Sequence, residues 1–155
     1  MYKKIIVPVD GSELAECVLP HIGKLTEGSG AGGTVSFMRV EEKRMPPSGE
    51  GFDYYANEWE RMEAARMAVA EEYLTELSKR VHYEGFKVET VVQVGSASEA
   101  IAAYAEKNGF DLIVIATHGR SGVSRWVWGS VADRILRSSC VPVLMIRAPG
   151  CFQGI

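Results

Sequence analysis

The sequence lacks most of the patterns that announce a chemistry. Its three cysteines, Cys17, Cys140 and Cys151, form no C-x-x-C pair. An odd, unpatterned count speaks against a disulfide scaffold or a cysteine-rich zinc module and fits a reducing compartment, so the cytoplasm is expected. There is no basic block: 17 Lys and Arg stand against 20 Asp and Glu, a formal net charge of −3. Such a chain has no positive stripe with which to displace counterions from a nucleic acid, so no nucleic-acid partner is expected. No apolar run approaches the ~20 residues of a membrane span. Only five apolar residues separate Lys4 from Asp10, one of them Pro8, which is too short for the apolar region of a secretory signal. His21, His82 and His118 are scattered, so no metal cluster is expected. The P-loop pattern G-x-x-x-x-G-K-[ST] is missing, and so is the G-x-S-x-G elbow of many hydrolases.

What is present is regular punctuation. With 46% apolar and 24% charged residues, the chain has the composition of one globular domain with a sizeable core, expected over 1–148. A short tail, 149–155, starts Pro-Gly and is expected to be loose. Apolar runs at 3–9, 34–40, 111–116 and 141–147, with an alternating run at 86–94, read as five strands. Between them lie helical patterns. Ser12 is a good N-cap, and Leu14, Val18, Ile22 and Leu25 recur behind it at helical spacing. Trp59, Met62, Ala65, Val69, Tyr73, Leu77 and Val81 make a long amphipathic stripe that reads as core packing. Ser96 and Glu99 have capping-box spacing, and Asn108-Gly109 closes the helix that follows. Val131, Ala132, Ile135 and Leu136 mark a last helix. The stretch 41–54, with Pro46-Pro47-Ser48-Gly49, has little pattern and reads as a loop long enough to act as a lid. Strands that alternate with helices in this way imply a doubly wound parallel sheet, an α/β fold with helices on both faces.

In such sheets ligands bind beyond the carboxyl ends of the strands, where the strand order switches. Asp10 follows the first strand, Val40 ends the second, and 116–119 end the fourth, so all three lie on one edge. The fourth strand runs into A-T-H-G-R-S-G, and Gly129-Ser130 opens the last helix after a nine-residue spacer from Gly119. Glycine lets a backbone approach a ligand closely, and a helix N-terminus presents free N–H groups and partial positive charge. We read this stretch as a phosphate cradle. Two glycines alone would be equally at home in an ordinary turn; the carboxylate on the same edge favours a nucleotide. His118 lies inside the cradle, where a histidine more often packs or bonds the loop than catalyses. The glycine-rich run 28–33 precedes a strand, whereas a dinucleotide fingerprint must follow one.

Taken together, I-I-V-P-V-D-G-S at the start, A-T-H-G-R-S-G, G-S-V-A-D-R-I-L-R and V-P-V-L-M-I-R at the end resemble the universal stress protein family over nearly the whole chain. Nucleotide-binding members of that family carry Gly, two residues, Gly, nine residues, then Gly-Ser or Gly-Thr. Gly119 and Gly129-Ser130 match, and Ala116 stands at the first glycine. The resemblance implies strand order 3-2-1-4-5 and a homodimer through the strand at 141–147. It implies an adenine nucleotide, ATP or else AMP or ADP, with Mg²⁺ accompanying the triphosphate. Asp10, with Pro8 and Val9 nearby, would bind the ribose or adenine side, and Val40 would meet adenine through its main chain. Ala116, Thr117, His118, Gly119, Arg120, Ser121 and Gly122, with Gly129, Ser130, Val131 and Ala132, would hold the phosphates. Arg120 and Arg125 are charge partners in this reading, although exposed arginines are more often simply solvated. The expected function is that of an ATP-binding regulatory protein with little or slow hydrolysis. The alternatives are an interaction module without nucleotide and a small adenylation-type enzyme.

Overall fold

Ile5, Ile6 and Val7 are wholly shielded from solvent because β1 (Lys4–Pro8) is the middle strand of the sheet. In this computed structural model, which describes residues 1–30, 32–46, 52–117 and 130–147, β1 lies parallel to β2 (Gly33–Glu41) on one edge and to β4 (Leu112–Ala116) on the other. Strand β3 (Phe86–Val94) pairs outside β2, and β5 (Val143–Ile146) outside β4. The order is β3-β2-β1-β4-β5, all parallel, as expected.

Side chains alternate across each strand, which splits the core in two. Ile5, Val7, Val35, Phe37, Leu112 and Val114 face one side. There they meet Ala15 of α1 (Glu13–Glu16), Ile22 of α2 (Leu19–Thr26), and Leu74 and Leu77 of α3 (Phe52–Arg80). Ile6, Met38, Ile113 and Ile115 face the other side, against Ile101 and Ala105 of α4 (Ala97–Lys107) and Ala132 and Ile135 of α5 (Ser130–Ser138). Helices that follow β1 and β2 therefore cover one face, and those that follow β3 and β4 cover the other. The change of face falls between β1 and β4. No helix among the described residues is long and apolar enough to cross a membrane.

Three boundaries differ by more than a residue at an element's end from the sequence reading. The first helix is two helices, because Pro20 has no N–H to give the preceding turn and its ring crowds that turn. So α1 stops at Glu16, and α2 restarts with Pro20 in its first turn. Val18 and Ile22 stay fully buried, which is why the spacing looked continuous. Next, α3 begins at Phe52 and Glu41 is the last residue of β2, so the loop is shorter than 41–54. The early turns of α3 stand clear of the core, with Tyr55 62% and Met62 58% exposed, and so carry no burial stripe to mark them. The lid expected here falls partly on 47–51, outside the described residues. Last, β5 spans 143–146 rather than 141–147. Pro142 cannot donate to a ladder, and the Val141 N–H turns instead to Ser139 Oγ at 3.1 Å. The tail, 148–155, also lies outside the described residues.

Gly33 fixes how β2 meets β3. It pairs with Phe86 in register, and a Cβ at Gly33 would sit 2.1 Å from the Phe86 ring. Gly33→Ala is therefore expected to destabilise the fold by about 1–3 kcal/mol through overpacking. Urea denaturation of this variant, of Phe86→Ala and of the double variant checks it: the two changes should fall short of additive, because the second removes the clash.

Candidate functional site

The site is assembled at the carboxyl edge, where β1 and β4 end side by side. Their register, Ile5 with Leu112 and Ile6 with Ile113, sets Asp10 level with Thr117 when continued. Asp10 Oδ1 accepts hydrogen bonds from the Ser12 N–H (2.9 Å) and the Ser12 hydroxyl (2.6 Å). Ser12 Oγ in turn accepts the Ala15 N–H at 3.1 Å and caps α1. Carboxylate, loop and helix start are thus one hydrogen-bonded unit. Gly11 makes the turn at φ 85°, and Arg39 Nη1 lies 3.2 Å from where a Cβ would be. Both the backbone and the neighbour call for glycine there.

Beyond the end of β1, β2 continues alone on that side. The Val9 N–H donates to the Met38 carbonyl at 2.9 Å, so Met38 directs its peptide groups toward β1. The Glu41 carbonyl takes the Gly95 N–H at 3.0 Å, so odd positions face β3. By alternation the N–H and C=O of Val40 point toward the β1 side, where β1 has already ended at Pro8. Its side chain packs against the α4–α5 core. Val9 has its side chain buried and its N–H already used, which leaves its carbonyl.

On the β4 side, Ala116 is 7% exposed and belongs to the core with Val7 and Val9, so its methyl points into the protein. The Thr117 N–H donates to the Ile146 carbonyl at 2.8 Å, which ties the turn to β5. Ser130 is the first residue of α5; Val131 follows, and Ala132 is buried against the second core. Their side of the cradle is therefore a helix start whose first N–H groups have no intrahelical acceptor. His118, Gly119, Arg120, Ser121, Gly122 and Gly129 lie outside the described residues.

The sequence reading missed a polar network beside this edge. Glu41 holds two guanidinium groups, Arg39 at 2.7 Å and Arg66 at 2.9 Å. Arg66 also reaches Glu63 (2.6 Å) and the Glu42 carbonyl (3.1 Å). Arg39 lies over the Tyr73 ring, 5.5 Å from its centroid. The Tyr73 hydroxyl donates to Glu16 at 2.9 Å, and Arg80 holds the other oxygen of that carboxylate at 2.6 Å. Burial, and then the bond to Glu16, push the Tyr73 hydroxyl above its ordinary pKa. The one signal available was that Arg39 and Glu41 share a face of β2 as the charges of an otherwise uncharged strand.

This is the architecture of a doubly wound α/β protein, with Asp10, Val40 and the end of β4 gathered at the switch between two central strands. The chain belongs to the universal stress protein family: the model of the Universal stress protein family matches residues 1–147. It is 28% identical over 156 residues to universal stress protein MJ0577 of Methanocaldococcus jannaschii, covering 95% of this chain and 96% of that one. The solved structure of MJ0577 superposes with a TM-score of 0.73 at 30% identity, over 95% of this chain and 96% of the other. A family member from Arabidopsis thaliana, solved with AMP bound, has the same fold at 16% identity, with a TM-score of 0.67 over 96% of this chain and 93% of its own.

Glu41 is only 11% exposed at its side chain, so removing its charge leaves two nearly buried guanidinium groups without their common partner. Glu41→Gln is expected to cost about 2 kcal/mol, below the range for a fully buried pair because some solvent reaches these groups. The midpoint of urea unfolding measures it.

Proposed function

We propose that the chain binds an adenine nucleotide, ATP above all, at the edge between β1 and β4, and acts as a regulatory homodimer with little or slow hydrolysis. The observation that carries this reading is Val40. Its peptide N–H and C=O face the switch point with no strand beside them, next to Asp10 and the turn after β4. Adenine presents a donor and an acceptor on adjacent edge atoms, which is the pattern a bare strand edge can match. Asp10 then supplies a carboxylate for ribose hydroxyls. The 118–122 turn, Gly129 and the start of α5 at Ser130, Val131 and Ala132 supply N–H groups for phosphates, and Thr117, its own N–H held by the Ile146 carbonyl, anchors the turn. The AMP-bound relative shares the fold that this reading requires.

The dimer would form through β5. The other outer strand, β3, carries Lys87 and Glu89, an ion pair at 2.7 Å that blunts its edge. The β5 segment V-L-M-I has no charge and is only partly covered. Sedimentation at micromolar concentration should give a dimer; a monomer would remove this half of the proposal.

Calorimetric titration with ATP, ADP and adenosine tests the nucleotide. Gly129→Val should abolish ATP binding by blocking the approach of phosphate, with the melting curve intact. Asp10→Asn keeps an oxygen for Ser12 but loses the charge, and should weaken binding about tenfold. Ala116→Gly should leave affinity alone and lower stability by about 1 kcal/mol, since the methyl lies in the core. If Gly129→Val binds ATP like the parent, or adenosine binds as tightly as ATP, no phosphate cradle exists.

A further inference from the structure

A second cleft, of about 410 Å³, opens between the starts of α4 and α5. Ser96, Ser98, Arg134, Lys43 and Glu42 line it. The start of α4 is uncapped. Ser96 holds the N-cap position with extended backbone, yet its hydroxyl bonds no helix N–H. The N–H groups of Ala97, Ser98 and Glu99 thus have no protein partner among the described residues. Ser98 is 6% exposed and lines the cleft, and its hydroxyl makes no hydrogen bond to the described residues. Lys43 and Arg134 form none of the ion pairs among those residues; Asp133, the nearest acid on α5, is taken by Arg137 at 3.0 Å. The carboxylate of Glu42 opposes them, so the lining side chains carry one net positive charge, to which the start of α4 adds its partial positive end.

This is a set of donors gathered on one cleft: peptide N–H groups, the Ser98 hydroxyl, an ammonium and a guanidinium. We propose that the cleft binds a phosphate group, at a site distinct from the cradle after β4. The ligand has several acceptor oxygens and a double negative charge, enough to satisfy the start of α4 and Ser98 together and to outweigh Glu42. It is supplied either by free inorganic phosphate or by an additional phosphate on a bound nucleotide. Val131 borders the cleft and stands in the first turn of α5, so the two sites meet along that helix.

The test is an amide-resolved NMR titration of the full chain with inorganic phosphate, against sodium chloride at equal ionic strength. The amides of Ala97, Ser98 and Glu99 should shift saturably with phosphate only. The double variant Lys43→Gln/Arg134→Gln should weaken the site about fivefold or more, and Ser98→Ala should weaken it as well. Gly129→Val should leave this titration unchanged, which separates the failure of this site from the failure of the nucleotide reading. A second arm compares adenosine 3′,5′-bisphosphate with AMP. Tighter binding of the bisphosphate, lost in the double variant, assigns the phosphate to a nucleotide; equal binding together with a phosphate titration assigns it to the free ion. Amides that respond alike to phosphate and chloride, or a double variant that titrates like the parent, overturn the proposal.

Discussion

The parallel seam between β1 and β4 is the joint on which the molecule depends. Few residues make it. Ile5 and Ile6 pair with Leu112 and Ile113, and the Asp111 N–H donates to the Lys4 carbonyl at 2.9 Å. The Asp111 carboxylate then takes the N–H groups of Lys3 (2.8 Å) and Lys4 (3.0 Å), so one side chain clamps the entry of both strands. Here the helices change face, which leaves neither face's helices to cover the gap above the strand ends. The site exists because the seam does. Asp10, Val40 and the turn after β4 belong to distant parts of the sequence and share an edge only through this pairing.

Much of the architecture was legible because burial on two faces writes itself into sequence. I-I-V in β1 and L-I-V-I in β4 are continuous apolar runs because each successive side chain enters a different core. The breaks were harder. Pro20 interrupts hydrogen bonding without disturbing which residues are buried, so a pattern of burial could not show it. The start of α3 was missed for the opposite reason: it is helical with little to pack against. At the site, Asp10 stood out as a carboxylate at a strand end. The bare peptide edge of Val40 came only through the family resemblance, since it arises from β2 outrunning β1, a difference in length that no side chain records. Arg39, Glu41, Arg66 and Tyr73 come together only once α3 lies across β2.

That network has a positional role more than a stabilising one. Arg39, Glu41 and Arg66 are 11–15% exposed at their side chains, and groups so placed give up hydration that their mutual attraction only partly restores. What it secures is the end of β2. Arg66 grips the Glu41 carboxylate and the Glu42 carbonyl, which sets where the strand hands over to the loop. Arg39, on the neighbouring position, stands over Tyr73 and against Gly11. One cluster thus fixes the strand that carries Val40 and borders the turn that carries Asp10.

The split core has a consequence for the chain as it leaves the ribosome. By the end of β3 the protein holds most of the face built from α1, α2 and α3, lacking there only the residues that β4 and β5 add, Leu112, Val114, Ala116 and Ile146. The opposite face cannot close. Ile6 waits for Ile113, and one edge of β1 stays open until β4 appears. At about 5–20 residues per second, the roughly twenty residues from the end of β3 to Ile113 take about 1–4 s. Collapse of a chain this size takes about 10–100 μs. The nascent protein therefore spends nearly all of that interval half-roofed, with an apolar sheet face and an unpaired central strand turned to its surroundings, and that interval is when a holding chaperone would find its substrate.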